Sequence, residues 1–274
     1  MPTPVQKTKA FANATSVAAS LSGVSASNTL IAIVTGNSGA TVPSSIVDST
    51  GNTVNAAVTY ATSTSHAGIG IYYVRTPTAG AHTLTCNWGA SNSGSMFLAE
   101  YPGDWAFNVA SPVAFAASTT IATANVTPTV NGALLILGIG QQNNTETFSS
   151  FLNGFTQEDS YNTNAPSCTW ADFTQTTAAA INGGATSSAA NGSAAALVAF
   201  APSIGSVTIT PPTGQINFEN YNPNVAPSSG ALALAGAAPL LALAITVGTG
   251  SLSLSGSPPT VSSTSGTNIA PPSG

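Results

Sequence analysis

The sequence predicts an all-β protein, a jelly-roll-like β-sandwich over residues 1–202 followed by an extended region of short β repeats over 203–274. Three observations carry that reading. Apolar residues fall in short runs closed by turn residues or in period-two alternation, and none keeps helical periodicity for long. The nearest to an exception, residues 176–181, is too short to stand as a helix. The first part of the chain also echoes itself: NGALLILGIG at 131–140 repeats NTLIAIVTG at 28–36, and GSAAALVAFAP at 192–202 repeats GSMFLAEYP at 94–102. Charge-free aliphatic runs bounded by glycine suit strands buried on both faces, and two such halves suit a sandwich that interleaves two Greek keys. The third observation is a change of grammar after Pro202.

In chain order, residues 5–23 alternate loosely as an outer strand and 28–36 form the first buried strand. Ile46 and Val47 precede a turn over Asp48–Asn52, where Asp bonds its own backbone and Gly51 supplies positive φ. Val54, Ala56 and Val58 follow on one face. Ile69, Ile71 and Tyr73 alternate with Tyr72 and Val74, and His82, Leu84 and Cys86 oppose Thr83 and Thr85 in a hairpin partner. SMFLAEYPG closes the first half, 104–118 reads as a link carrying Trp105 and Phe107, and the strand pattern then repeats. A long polar loop follows Gly140 before strand-like spacing resumes at Cys168.

Beyond Pro202 one template, G-x-[I/L]-x-[F/L]-x-[N/G]-x-x-P, occurs at 214–223, 230–239 and 250–259. Pro211, Pro227 and Pro271 each stand three residues before a glycine, so the sequence ends at the threshold of a fourth copy. Each copy is a short strand with two apolar side chains, such as Leu232 and Leu234. Burying these contributes roughly 1.5–3 kcal/mol apiece, whereas ordering each residue costs on the order of 1–2 kcal/mol. One chain cannot hold such repeats folded, so the region is expected to be shared among chains, three in number. The apolar run 231–247 is at the short limit for a membrane span and holds Pro239, so the strand reading is preferred and no membrane span is expected.

Composition narrows the function. Charged residues are 4% of the chain, against about 25% in ordinary soluble proteins. The only basic residues are Lys7, Lys9 and Arg75, too few for the positive stripe that displaces counterions from phosphates, which excludes nucleic acid as a partner. Sheet edges are usually guarded by charge or proline. With so few charges, these edges are expected to be covered by neighbouring subunits. Cys86 and Cys168 read as two buried or free thiols, and the opening residues show no basic-then-apolar export signal. Without one, the glycosylation sequons at Asn13, Asn143 and Asn191 carry no weight.

No nucleophile elbow, phosphate loop or metal-ligand spacing is present. His66 and His82 have no acid beside them in sequence and read as surface or packed histidines. Glu100 with Asp104, and Glu158 with Asp159, are acid pairs of the type glycosidases use, but they read as solvated loop acids. Asp48 and Asn52 are explained by their turn without calcium. No catalytic residue, cofactor or metal is therefore expected. Trp88, Tyr101, Trp105, Tyr161 and Trp170 lie near strand ends or loops and read as core plugs, with a sugar-binding surface platform as the alternative.

The segments SLSGVSASNTLIAIVTG, VDSTGNTV, IYYVRTPTAGAHTLTCNW and FLAEYPG resemble a β-sandwich module of bacteriophage virion proteins and some bacterial surface proteins. Residues 198–202, VAFAP, match the close of its second half, and PSSGALALAGAAP is similar to short repeats of phage structural and fibre proteins. The resemblance implies a virion component, a capsid decoration, head fibre or tail-fibre-like adhesin. Its partners would be copies of itself, other virion proteins and a host-surface glycan. It hands over no catalytic residue. The alternative is a bacterial surface or secreted glycan-binding module.

Overall fold

The computed structural model describes residues 2–37 and 42–203, which form two antiparallel sheets. The first contains β1 (Gln6–Val24), β2 (Thr29–Gly36), β3 (Ser45–Asp48), β4 (Asn55–Ser63), β5 (His66–Arg75) and β6 (Gly80–Tyr101). The second contains β7 (Trp105–Ala110), β8 (Ala114–Ala122), β9 (Ala133–Gln141), β10 (Phe148–Ser149), β11 (Thr156–Tyr161), β12 (Ser167–Gln175) and β13 (Gly184–Pro202), with a 3-10 turn at Leu152–Gly154. The repeat copies at 214–223, 230–239 and 250–259 lie outside the described residues.

The all-β sandwich read from the sequence is what forms, with a connectivity that interleaved Greek keys would not give. Each half of the chain fills one sheet. The first runs β1-β6-β2-β5-β4 with β3 beside β6; the second runs β13-β9-β12-β11, with β7 and β8 on the outer side of β13 and β10 beside it. These are the same arrangement, and the equivalence extends to register. Ile33 pairs with Phe97 and Ile71, while Gly138 pairs with Ala196 and Trp170. The echoed segments of the sequence are the central strands β2 and β9 and the closing stretches of β6 and β13.

Both halves curl in the same way. The β1–β6 ladder breaks register between Ala14 and Ser16, and the β8–β13 ladder between Ser118 and Thr120. Such breaks bend and twist a strand pair. Beyond the break, Val17, Ala19, Leu84 and Cys86 share one buried cluster with Leu30, Val34, Met96 and Leu98, so the far ends of the long strands fold back over their own sheet. In the second half Ile121, Phe148 and Ala185 cover Leu135, Leu137 and Leu197 likewise.

The opposite faces of the two sheets meet in a third core. Ile31, Ile69, Ile71, Phe97 and Tyr101 pack with Ile136, Cys168, Trp170, Val198 and Phe200. These are equivalent faces, as in an isologous dimer. In such an arrangement some equivalent residues meet each other, and here Ile33 lies against Gly138, where an added Cβ would stand 2.8 Å from its Cγ2.

Two segments depart from the sequence reading. Most of the expected link 104–118 is strand, β7 and the start of β8. The expected long loop after Gly140 contains β10 and β11.

Candidate functional site

Every charged side chain among the described residues is either buried or paired. Lys7 bonds Glu158 at 2.7 Å, Lys9 bonds Asp159 at 2.8 Å, and Arg75 holds Asp104 through Nε and Nη2, both at 2.7 Å. Asp48, Glu100, Glu146 and Asp172 are buried. Burial raises the Glu100 pKa, but donation from the Ser25 amide, Gln6 and Asn28 outweighs it and holds the carboxyl below its ordinary range. Glu146 accepts from Asn191 at 2.6 Å and from Ser167 at 3.1 Å. The acid pairs of the sequence are thus structural anchors, placed in a nest of neutral donors or against a cation, and not solvated loop groups.

Two seams flank the joint between the halves, and they occupy equivalent places. Along one, Lys7, Lys9 and Phe11 of β1 face Glu158, Asp159 and Tyr161 of β11. Both lysines also donate to β11 carbonyls, of Glu158 at 2.5 Å and Ser160 at 2.6 Å, while Phe11 stacks on Tyr161 at 5.5 Å. The register places Ala110 and Phe115 where Lys7 and Phe11 stand, and Ala57, Val58 and Ala61 where Glu158, Asp159 and Tyr161 stand. The bulge that carries the two acids recurs at Ala57–Val58, and that second seam closes on Ala110 and Val113 with no charge. The pattern continues inward. Tyr101 donates to buried Asp172 at 2.7 Å, whereas the equivalent pair, Phe200 and Tyr73, meets edge to face at 5.4 Å. Desolvation pushes Asp172 up to about 6, although the Tyr101 hydrogen bond opposes it.

Beneath each curl the halves differ again. Gly36, Gly68 and Gly94 form a row across β5, β2 and β6, and the rings of Tyr60 and Trp88 lie over it, 5.5 Å apart. In the second half the same row is Gln141, Ser167 and Ser193, and a polar network covers it: Ser187 to Gln141 at 2.5 Å, with Ser167 and Asn191 to Glu146.

His82 is buried and paired with Asp48. Nδ1 faces the carboxylate at 2.9 Å, and Nε2 faces the Thr78 carbonyl at 2.6 Å. Burial raises the Asp48 pKa, but Thr50, Asn52 and His82 together outweigh it and leave the carboxyl lowered. Asn52 bonds Asp48 at 2.7 Å, which closes the turn as the sequence reading held. The hydroxyl of Thr50 reaches the same ring nitrogen that Asp48 occupies, so the trio lacks the relay order of a nucleophile–base–acid site. Sequence gave no sign of this pair, because its members stand 34 residues apart. Burial pushes the Cys86 thiol up to about 12 and the Cys168 thiol up to about 11, and both are free.

Four of the five aromatic candidates for a surface platform are core: Trp88, Tyr101, Trp105 and Trp170 are buried, and Tyr161 is half-buried under Phe11. A ring without an exposed face offers no stacking surface to a sugar, so the platform alternative fails for those four.

No family model, curated protein or solved structure matches the chain.

Among the described residues no group of three or more His, Cys, Asp or Glu could hold a metal ion, and no helix is long and apolar enough to cross a membrane. What remains at the surface is hydroxyl, amide and small apolar side chain, carried on strand edges. Phe107 and Phe115, on β7 and β8, are its most exposed rings.

Proposed function

We propose that the protein is a structural component of a phage virion, a capsid decoration, head fibre or tail-fibre-like adhesin that acts by assembly and surface binding. One observation supports this above the others: the sandwich commits every charged side chain of its described residues to holding itself together. The outer surface then has no charged feature with which to steer a substrate or polarise a bond. It suits a part that is read by shape and packed beside its neighbours. Repeats at 214–223, 230–239 and 250–259 serve in this reading to join copies, three to an assembly.

Mass spectrometry of purified virions, with immunogold labelling of intact particles, tests the proposal. Stoichiometric peptides and labelled particles are expected. A chain confined to the infected-cell lysate and missing from particles would overturn it.

A further inference from the structure

Edge strands are templates for further pairing, and proteins blunt them with charge, bulges or cover. Most edges of this sandwich are treated in those ways. The outer carbonyls of β11 are taken by Lys7 and Lys9, which also hold the first stretch of β1 beside it. The β4 ladder is broken by three register shifts. β3 and β10 are only 4 and 2 residues long.

β8 is treated in none of these ways. Its nine residues, AFAASTTIA, hold no charge and no proline, and it pairs only with β13. Ala117, Ser118, Thr119 and Thr120 are exposed in succession, and Phe115 is 39% exposed at the start of the run. At about 3.3 Å per residue the strand offers an edge of about 30 Å.

We propose that β8 is the edge by which a second copy of this chain joins the sheet, antiparallel, β8 against β8. Antiparallel pairing of a strand with itself is self-complementary about a two-fold axis. Small Ala, Ser and Thr side chains let both copies approach. Charge matching favours the same occupant: the charges of the described residues are buried or neutralised in pairs, so two copies meet without like-charge repulsion across this edge. A foreign partner would need a charge or a pocket to be selected by, and β8 presents neither. The inference rests on the reading above only in taking the protein to work as several copies.

Sedimentation of the full chain, with amide hydrogen exchange over 114–122, tests it. The expected result is a multimer whose 114–122 amides exchange at least tenfold more slowly at high than at low concentration. In A117K/T119K the β8-linked mass should fall by half and that protection should vanish, with the tryptophan emission of the fold unchanged. Should the variant not fold, the concentration dependence of exchange in the unaltered chain decides. A full chain that sediments as a monomer at every concentration overturns both this inference and the assembly reading. A multimer with freely exchanging 114–122 amides overturns the β8 edge alone.

Discussion

Replacing Asp172 by asparagine should stabilise the protein above neutral pH. The carboxyl is buried between the halves with the Tyr101 hydroxyl at 2.7 Å, and desolvation lifts its pKa from 3.8 to about 6. Glu158 raises it further, while Lys7 and the Tyr101 hydrogen bond pull the other way. For an acid whose folded pKa lies above its unfolded value, the folded state binds the proton more tightly. Its contribution to stability is then fully present below pH 3.8 and lost as pH rises through about 6. The shift corresponds to about 3 kcal/mol between those limits. Asparagine keeps the volume and still accepts from Tyr101, without the buried charge. Urea denaturation followed by emission of Trp88, Trp105 and Trp170, all buried in the sandwich, reads the effect. D172N should exceed the parent by about 3 kcal/mol at pH 8, and the gap should close near pH 4. A variant less stable than its parent at pH 8, or a gap that does not change with pH, would refute the desolvation argument.

Gly94→Ala would place a Cβ 2.6 Å from the Trp88 ring and 3.2 Å from the Thr35 carbonyl, so a loss of about 1–3 kcal/mol is expected by thermal unfolding. Asp48→Ala strips the buried Nδ1 of His82 of its carboxylate and should cost about 3 kcal/mol, with His82→Gln costing less by the same denaturation assay. The double variant K7A/K9A should lose about 1 kcal/mol at low salt, and calorimetry in molar salt should shrink that loss, because these pairs are partly exposed.

Legibility in the sequence followed burial. β2 and β9 were readable because both of their faces are covered, which leaves an unbroken aliphatic run between glycines. β11, TQEDSY, was hidden because an edge strand guarded by charge looks like a polar loop when its partner lysines lie about 150 residues away. β7 and β8 read as a link because Ser111–Pro112–Val113 interrupts what is one strand, β1, in the other half. The Asn–Ser–Gly stretch before Met96 looks like a turn but is strand, so β6 read as two strands. The joint was beyond reach for a different reason. Its register equivalence is a property of ladders, and no local pattern in Lys7 or Glu158 announces that Ala110 and Ala57 stand in their places.

The meeting of Ile33 with Gly138 has a consequence for how such a molecule can change. In a true homodimer each substitution arrives twice, so a residue on the axis must tolerate its own image, and a large side chain there would meet another of equal size. Carrying both halves on one polypeptide removes that constraint. A knob can face a hole, one flank can be ionic while its counterpart is greasy, and a glycine row can stand opposite a row of hydroxyls. Each half is then free to adapt to a single fixed neighbour, and its surface need no longer serve as its own mate.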